Sequence, residues 1–177
     1  EIQAAKNYLT DKIKSNKIVS IILGGPNKYY SFSNDQLMEI FNSIKSTFIS
    51  KGYETIIVPS LRTPKTIIEL AKKEMSKFGH VVNLVDKQAY LSAYALAEYI
   101  VVTCDSISMI SEAASSGKPI FVAHMKPKKD NYRFRRFFEL FKQMGITRDL
   151  GTKVETWTYN KHNEAQRIAF EIKNKIK

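Results

Sequence analysis

Cysteine is nearly absent. The 177-residue chain has one, Cys104, so no internal disulfide can form, which favours a reducing compartment. At the end of an apolar run, Cys104 reads as a small buried residue rather than a nucleophile. Histidine is sparse as well: His80, His124 and His162 lie far apart and offer no metal-ligand spacing. No metal site is expected. Apolar runs stay well short of the ~18 residues that span a bilayer, and no secretory leader is visible. The expected location is cytoplasmic, with peripheral attachment to the inner membrane as the alternative. Acidic residues are outnumbered, 17 against 28 Lys and Arg, for a net charge of +11. Two explanations compete: attraction to phosphates on a ligand or an anionic membrane, or the Lys- and Ile-rich composition of an AT-rich bacterial genome. The aromatic–basic motifs of nucleic-acid readers are missing, so no nucleic-acid partner is expected. No Ser/His/Asp order, paired carboxylates or cysteine cluster supplies complete catalytic machinery.

What remains is an ordinary globular composition, 44% apolar and 25% charged. The length suits one domain, 1–177, with a core that needs no staples. The chain opens at Glu1 inside an amphipathic stretch, which suggests that the numbering starts partway through a longer protein.

The pattern predicts a leading helix over 2–15, with Ala4, Ala5, Tyr8, Leu9 and Ile13 on one face. Residues 17–23 are an almost fully apolar run ending at Gly24-Gly25-Pro26, the mark of a buried strand and a tight turn. Ser33 or Asn34 caps a helix that carries Leu37, Ile40, Phe41, Ile44 and Phe48 and closes at Gly52. Strands follow at 55–58, 80–85, 99–103 and 119–123. Helices are expected from Thr63-Pro64, over 90–97, from Ser106 or Ile107 to Ser116, over 131–144 and over 162–176. Five strands alternating with helices require right-handed parallel crossovers. The fold class is therefore α/β, a Rossmann-like doubly wound parallel sheet. In such sheets ligands lie beyond the carboxyl ends of the strands, at loops 24–33, 59–63, 86–90, 104–108 and 124–132.

Three constellations fall in those loops. Gly24-Gly25-Pro26-Asn27-Lys28 is neither a P-loop nor a dinucleotide fingerprint. Its glycines could turn amides toward an anion, with Lys28 as a point charge; otherwise it is a tight turn with a solvated lysine. Asp105-Ser106-Ile107-Ser108, followed by Glu112 and Gly117-Lys118-Pro119, brings a strand end to a helix N-terminus. Free amides at Ile107, Ser108 and Met109 and two serine hydroxyls make an anion site by geometry and dipole. Glu112, one turn further, could accept ribose or sugar hydroxyls; the plainer reading is a cap and a surface charge. Arg133-Phe134-Arg135-Arg136-Phe137-Phe138, behind Lys126, Lys128 and Lys129, puts phenylalanines in the core. Its arginines form a diphosphate clamp, a membrane-facing patch or a solvated face. Arg62, beside the second strand, is a ligand contact or a surface charge. Trp157 and Tyr159 read as packing anchors for the last helix.

In order, Gly24-Gly25-Pro26-Asn27-Lys28, Ser60 with Arg62-Thr63-Pro64, the stretch 100–119, Arg133-Phe134-Arg135-Arg136-Phe137 and Trp157-Thr158-Tyr159 resemble the mitochondrial-fission (elongated mitochondria) family, over about residues 16–172. That family resembles GT-B glycosyltransferases, which face two Rossmann-like domains across a cleft. The match is to the C-terminal domain, the one that holds a nucleotide-sugar donor. It implies a preceding N-terminal domain, with 1–16 as a leading helix from that domain and 162–177 as the C-terminal helix. The Asp105-Ser106 segment is also similar to the donor motif of lipopolysaccharide heptosyltransferases, but Ile107 and Ile110 stand where Gly and His occur there.

The resemblance implies a nucleotide or nucleotide-sugar binding domain, glycosyltransferase-like, with the nucleoside-diphosphate sugar as substrate and no tightly bound cofactor. Gly24, Gly25, Ser106 and Ser108 would hold the diphosphate, with Lys28 and Arg133 or Arg136 neutralising it and Glu112 on ribose. Asp105 and Arg62 complete the candidate set. The alternative is a non-catalytic adaptor that recruits a protein partner or binds an anionic membrane through 126–136. A nicotinamide-dependent epimerase would need the dinucleotide fingerprint that this chain lacks.

Overall fold

In a computed structural model, which describes residues 1–151 and 153–160, six strands form one all-parallel sheet. They are β1 (Ile18–Leu23), β2 (Glu54–Pro59), β3 (Gly79–Val81), β4 (Tyr99–Thr103), β5 (Ile120–Ala123) and β6 (Thr147–Asp149), in the order β3-β2-β1-β4-β5-β6. The strand order reverses between β1 and β4. Right-handed crossovers then require α1 (Asn34–Thr47) and α2 (Lys65–Met75) on one face. They put α3 (Lys87–Leu96), α4 (Ile107–Ala114) and α5 (Tyr132–Gln143) on the other. Side chains agree: the Ser20 hydroxyl of β1 donates to the Ala93 carbonyl of α3 at 2.7 Å, while Phe48 beyond α1 meets Phe121 from the opposite face at 5.4 Å.

The strands form because their residues lose water on both sides. Every residue of β1, β4 and β5 is buried. Each fully buried Ile or Val contributes about 1.5–3 kcal/mol, which outweighs its loss of rotamer freedom. The helices start where caps stand. Ser33 and Gln36 form a capping box on α1, the Asp86 carboxylate takes the Gln88 and Ala89 amides of α3, and Asn131 takes the Arg133 amide of α5.

Five elements depart from the sequence expectation. The leading segment is a 3-10 helix, Gln3–Lys12, that buries only Ala5 and Leu9. It is held on α3 through the Leu9 amide to Ser92 at 3.2 Å and Tyr8 to Asp86 at 2.6 Å. The third strand stops at Val81, and α3 begins three residues before position 90 because Asp86 caps it. Thr63 does not cap α2. Its hydroxyl instead lies against the Leu23 and Gly24 carbonyls at 2.9 and 2.6 Å and accepts the Ser60 amide, which ties the first two strand ends together. The sixth strand was not anticipated. Trp157 packs on Phe121 at 5.2 Å beneath Arg148, and Tyr159 donates to the Lys118 carbonyl at 2.8 Å. The helix expected over 162–177 lies outside the described residues. Among those that are described, no helix is long and apolar enough to cross a membrane.

Candidate functional site

β1, β2 and β4 end side by side, and their loops meet around Asp105. This residue is 2% exposed. Its carboxylate accepts the Gly25 amide at 2.9 Å, the Thr103 hydroxyl at 2.7 Å and the Arg62 guanidinium at 3.0 Å. The Gly24 amide donates to Thr103 at 2.8 Å, Arg62 reaches the Gly25 carbonyl at 3.1 Å, and Asn27 donates to the Asp105 carbonyl at 2.9 Å. The paired glycines are explained by this crowding. A Cβ at Gly24 would overlap the Asp105 carboxylate, and one at Gly25 would overlap the backbone of Arg62. The amides that the sequence reading offers to an anion are thus already donating inward, and Arg62 is paired. Burial pushes the Asp105 carboxyl above its ordinary value, opposed by the Gly25 amide, the Thr103 hydroxyl and Arg62. Burial also pushes the neighbouring Cys104 thiol up to about 11. It carries no thiolate near neutrality, as expected of a packing residue.

From Asp105 the chain turns outward into α4. Ser106 caps it, its hydroxyl taking the Met109 amide at a long 3.4 Å. The Ile107 and Ser108 amides have no partner among the described residues. Ser108 is exposed, and Glu112 follows four residues later on the same side. Glu112 is not a loose surface charge. The Tyr90 hydroxyl of α3 donates to it at 2.8 Å, and the buried Tyr94 hydroxyl donates to Tyr90 at 2.7 Å. Burial raises both phenols above their ordinary value, so both stay protonated and able to donate. Between α3 and α4, a cavity of 280 Å³ is lined by Pro59, Ser60, Val85, Asp86, Tyr90, Met109 and Glu112. Tyr90 escaped the sequence reading because it stood at a helix start with no partner in view. Its pairing with Glu112 spans 22 positions.

The remaining candidates lie further along the same edge. Lys28 sits over the Tyr29 ring at 4.9 Å, and Lys129 approaches that ring at 5.7 Å. Tyr29 and Tyr30 hold the Phe134 ring of α5 at 5.4 and 5.6 Å. Arg133 and Arg136 are exposed on α5. The structure therefore separates the candidates into an inward knot (Gly24, Gly25, Arg62, Asp105), an α4 rim (Ser106, Ser108, Glu112) and a basic group on the loop after β1 and on α5 (Lys28, Arg133, Arg136). Lys118 proves structural: its ammonium donates to the Ala95 carbonyl at 2.9 Å and to the Ala97 carbonyl, closing the end of α3.

A family model described as mitochondrial fission ELM1 matches residues 1–176. The uncharacterised protein RP120 of Rickettsia prowazekii is 30% identical over 168 residues, covering 91% of this chain and 47% of that protein. The mitochondrial fission protein ELM1 of Arabidopsis thaliana is 25% identical over 164 residues, covering 90% of this chain and 38% of that protein. The chain thus spans about half, or less, of the curated relatives it matches. Among solved structures, one named as a UDP-N-acetylglucosamine 2-epimerase from Listeria monocytogenes superposes with a TM-score of 0.50 at 15% identity. It covers 98% of this chain and 43% of that one. At that identity the likeness shows a shared Rossmann-like fold.

Proposed function

This chain belongs to the mitochondrial fission ELM1 family, and from that premise we propose that it binds a nucleotide or nucleotide-sugar at the outer rim of α4, as one half of a GT-B-like protein. The observation that carries the reading is the Tyr94–Tyr90–Glu112 hydrogen-bond chain at the mouth of the 280 Å³ cavity. One turn away stand the α4 amides of Ile107 and Ser108. A free helix N-terminus attracts an anion through its amides and its dipole. A phosphate there would also meet the Ser106 and Ser108 hydroxyls. Glu112, fixed by Tyr90 through one oxygen, keeps its other lone pairs for ribose or sugar hydroxyls. Val85, Met109, Pro59 and the Tyr90 ring supply the apolar wall a base requires. Lys28 on the loop after β1 and Arg133 in the first turn of α5 are sources of positive charge for a diphosphate. Gly24, Gly25, Arg62 and Asp105 serve this site indirectly, by fixing the turn from which α4 departs.

If the whole protein is a transferase, its base comes from the other half, and this chain alone gives no turnover. Calorimetric titration with UDP, ADP and GDP tests the binding. UDP is the first choice because the similar Listeria structure is named for a UDP-sugar. The expected result is saturable binding to one nucleotide near ~0.1–1 mM, about 4–5.5 kcal/mol. Silence with all three would overturn the reading and favour the adaptor.

A further inference from the structure

α5 has two unlike sides. The inner side is a series of rings. Phe134 meets Tyr29 and Tyr30, Phe138 meets His124 at 4.9 Å, and Phe137 stacks on Phe141 at 4.1 Å. The Phe134 and Phe138 contacts tie the helix to the chain beyond β1 and β5. The outer side repeats every fourth residue: Tyr132, Arg136, Leu140 and Met144 form one stripe. Tyr132 is 65% exposed, Leu140 49% and Met144 48%. Large exposed apolar side chains are unremarkable singly, but here three share one helix face with an arginine. The approach to the helix adds charge. Segment 126–136 holds six cations, Lys126, Lys128, Lys129, Arg133, Arg135 and Arg136, against one acid, Asp130. Asp130 pairs with Arg135 at 3.1 Å. Lys126, Lys128 and Arg136 have no ion-pair partner among the described residues.

We propose that this face, from Lys126 to Met144, docks on an anionic lipid bilayer. Interleaved cations and apolar side chains on one helix side match the headgroup region of a membrane, where phosphates lie above acyl chains. Lys126, Lys128 and Arg136 meet the phosphates. Leu140 and Met144 enter the boundary below, and Tyr132 takes the interfacial position that tyrosine favours. A soluble polyanion would use the cations but leave Leu140 and Met144 in water. Over the whole face, seven cations stand against two acids, Asp130 and Glu139, which calls for an extended negative plane. Apart from Arg133, which the proposed nucleotide site also uses, the surface is separate from the α3–α4 rim, so vesicle binding and nucleotide binding can fail independently.

Vesicle co-sedimentation of the chain decides it, with phosphatidylcholine vesicles compared with mixtures containing phosphatidylglycerol. The expected result is partitioning only onto the anionic vesicles, weakened about fivefold each by Lys128→Glu and Arg136→Glu. Leu140→Ser should weaken it by about threefold through lost burial of the side chain. Lys73→Glu on α2, which changes net charge equally but elsewhere, should leave partitioning within about twofold. Circular dichroism and thermal unfolding establish that each variant is folded. Failure to bind anionic vesicles overturns the proposal. An equal loss in the α2 variant would do the same, by assigning the effect to overall charge. Binding untouched by Leu140→Ser would assign the patch to a soluble polyanion instead.

Discussion

Asp105 and Glu112 lie seven positions apart on one strand–helix junction, and each is held by hydrogen bonds from another element. Their settings differ completely. Asp105 is 2% exposed and takes three donors from three strand ends. Glu112 is exposed and takes one, from Tyr90. A buried carboxylate with its donors around it is a structural rivet, since removing it strands each donor. An exposed carboxylate fixed by one phenol keeps acceptor capacity for a ligand. On the proposed reading, the junction turns from architecture to recognition within two turns of chain.

The contrast can be broken most forcefully from the inside. Asp105→Ala leaves the Gly25 amide and Arg62 without their acceptor, and should cost about 2–4 kcal/mol in urea or guanidinium unfolding. Gly24→Ala, which forces a methyl into the Asp105 carboxylate, should cost about 1–3 kcal/mol by the same measurement. Arg62→Ala should cost only about 1 kcal/mol, because that side chain is 41% exposed and water replaces part of what is lost. If Arg62→Ala proved as damaging as Asp105→Ala, the knot would be an ion pair rather than a carboxylate serving backbone.

The smallest effect is in pH dependence, where buried and exposed acids should have opposite signs. Burial raises Asp105 above its ordinary 3.8, so its contribution is complete below that value and is lost as pH rises through the folded value. Asp149 is raised by burial but held net below 3.8 by hydrogen bonds from Lys142 and by His124. Its contribution is present above 3.8 and lost as pH falls through the folded value. Asp149→Asn should therefore flatten the acid limb of a stability–pH curve, and Asp105→Asn should leave that limb in place.

The sheet was legible because β1, β2, β4 and β5 are nearly unbroken apolar runs closed by turn residues, and buried parallel strands have no other way to look. β6 was not. Thr147-Arg148-Asp149 is three residues long and mostly polar, because as an edge strand it is wetted on one side. The leading helix was placed correctly but read too apolar, since Tyr8 and Ala4 face water. Within the site, the cap that opens α4 could be read from Asp105-Ser106, because a strand-to-helix turn is a local feature. The inward use of Gly24, Gly25 and Arg62 could not. Their partners lie 37 to 80 positions away, and spacing alone does not say which donor meets which acceptor. Tyr90 was hidden for the same reason.

The central claim is that the Glu112 end of the junction binds while the Asp105 end only builds. Titrating UDP into the wild-type chain and into Glu112→Ala, with unfolding curves run on both, tests it most directly. The account predicts unfolding free energies within about 0.5 kcal/mol of each other and nucleotide affinity at least about tenfold weaker in the variant, close to 1.4 kcal/mol. Equal affinity in the two proteins, or an affinity loss matched by an equal loss of stability, would contradict it.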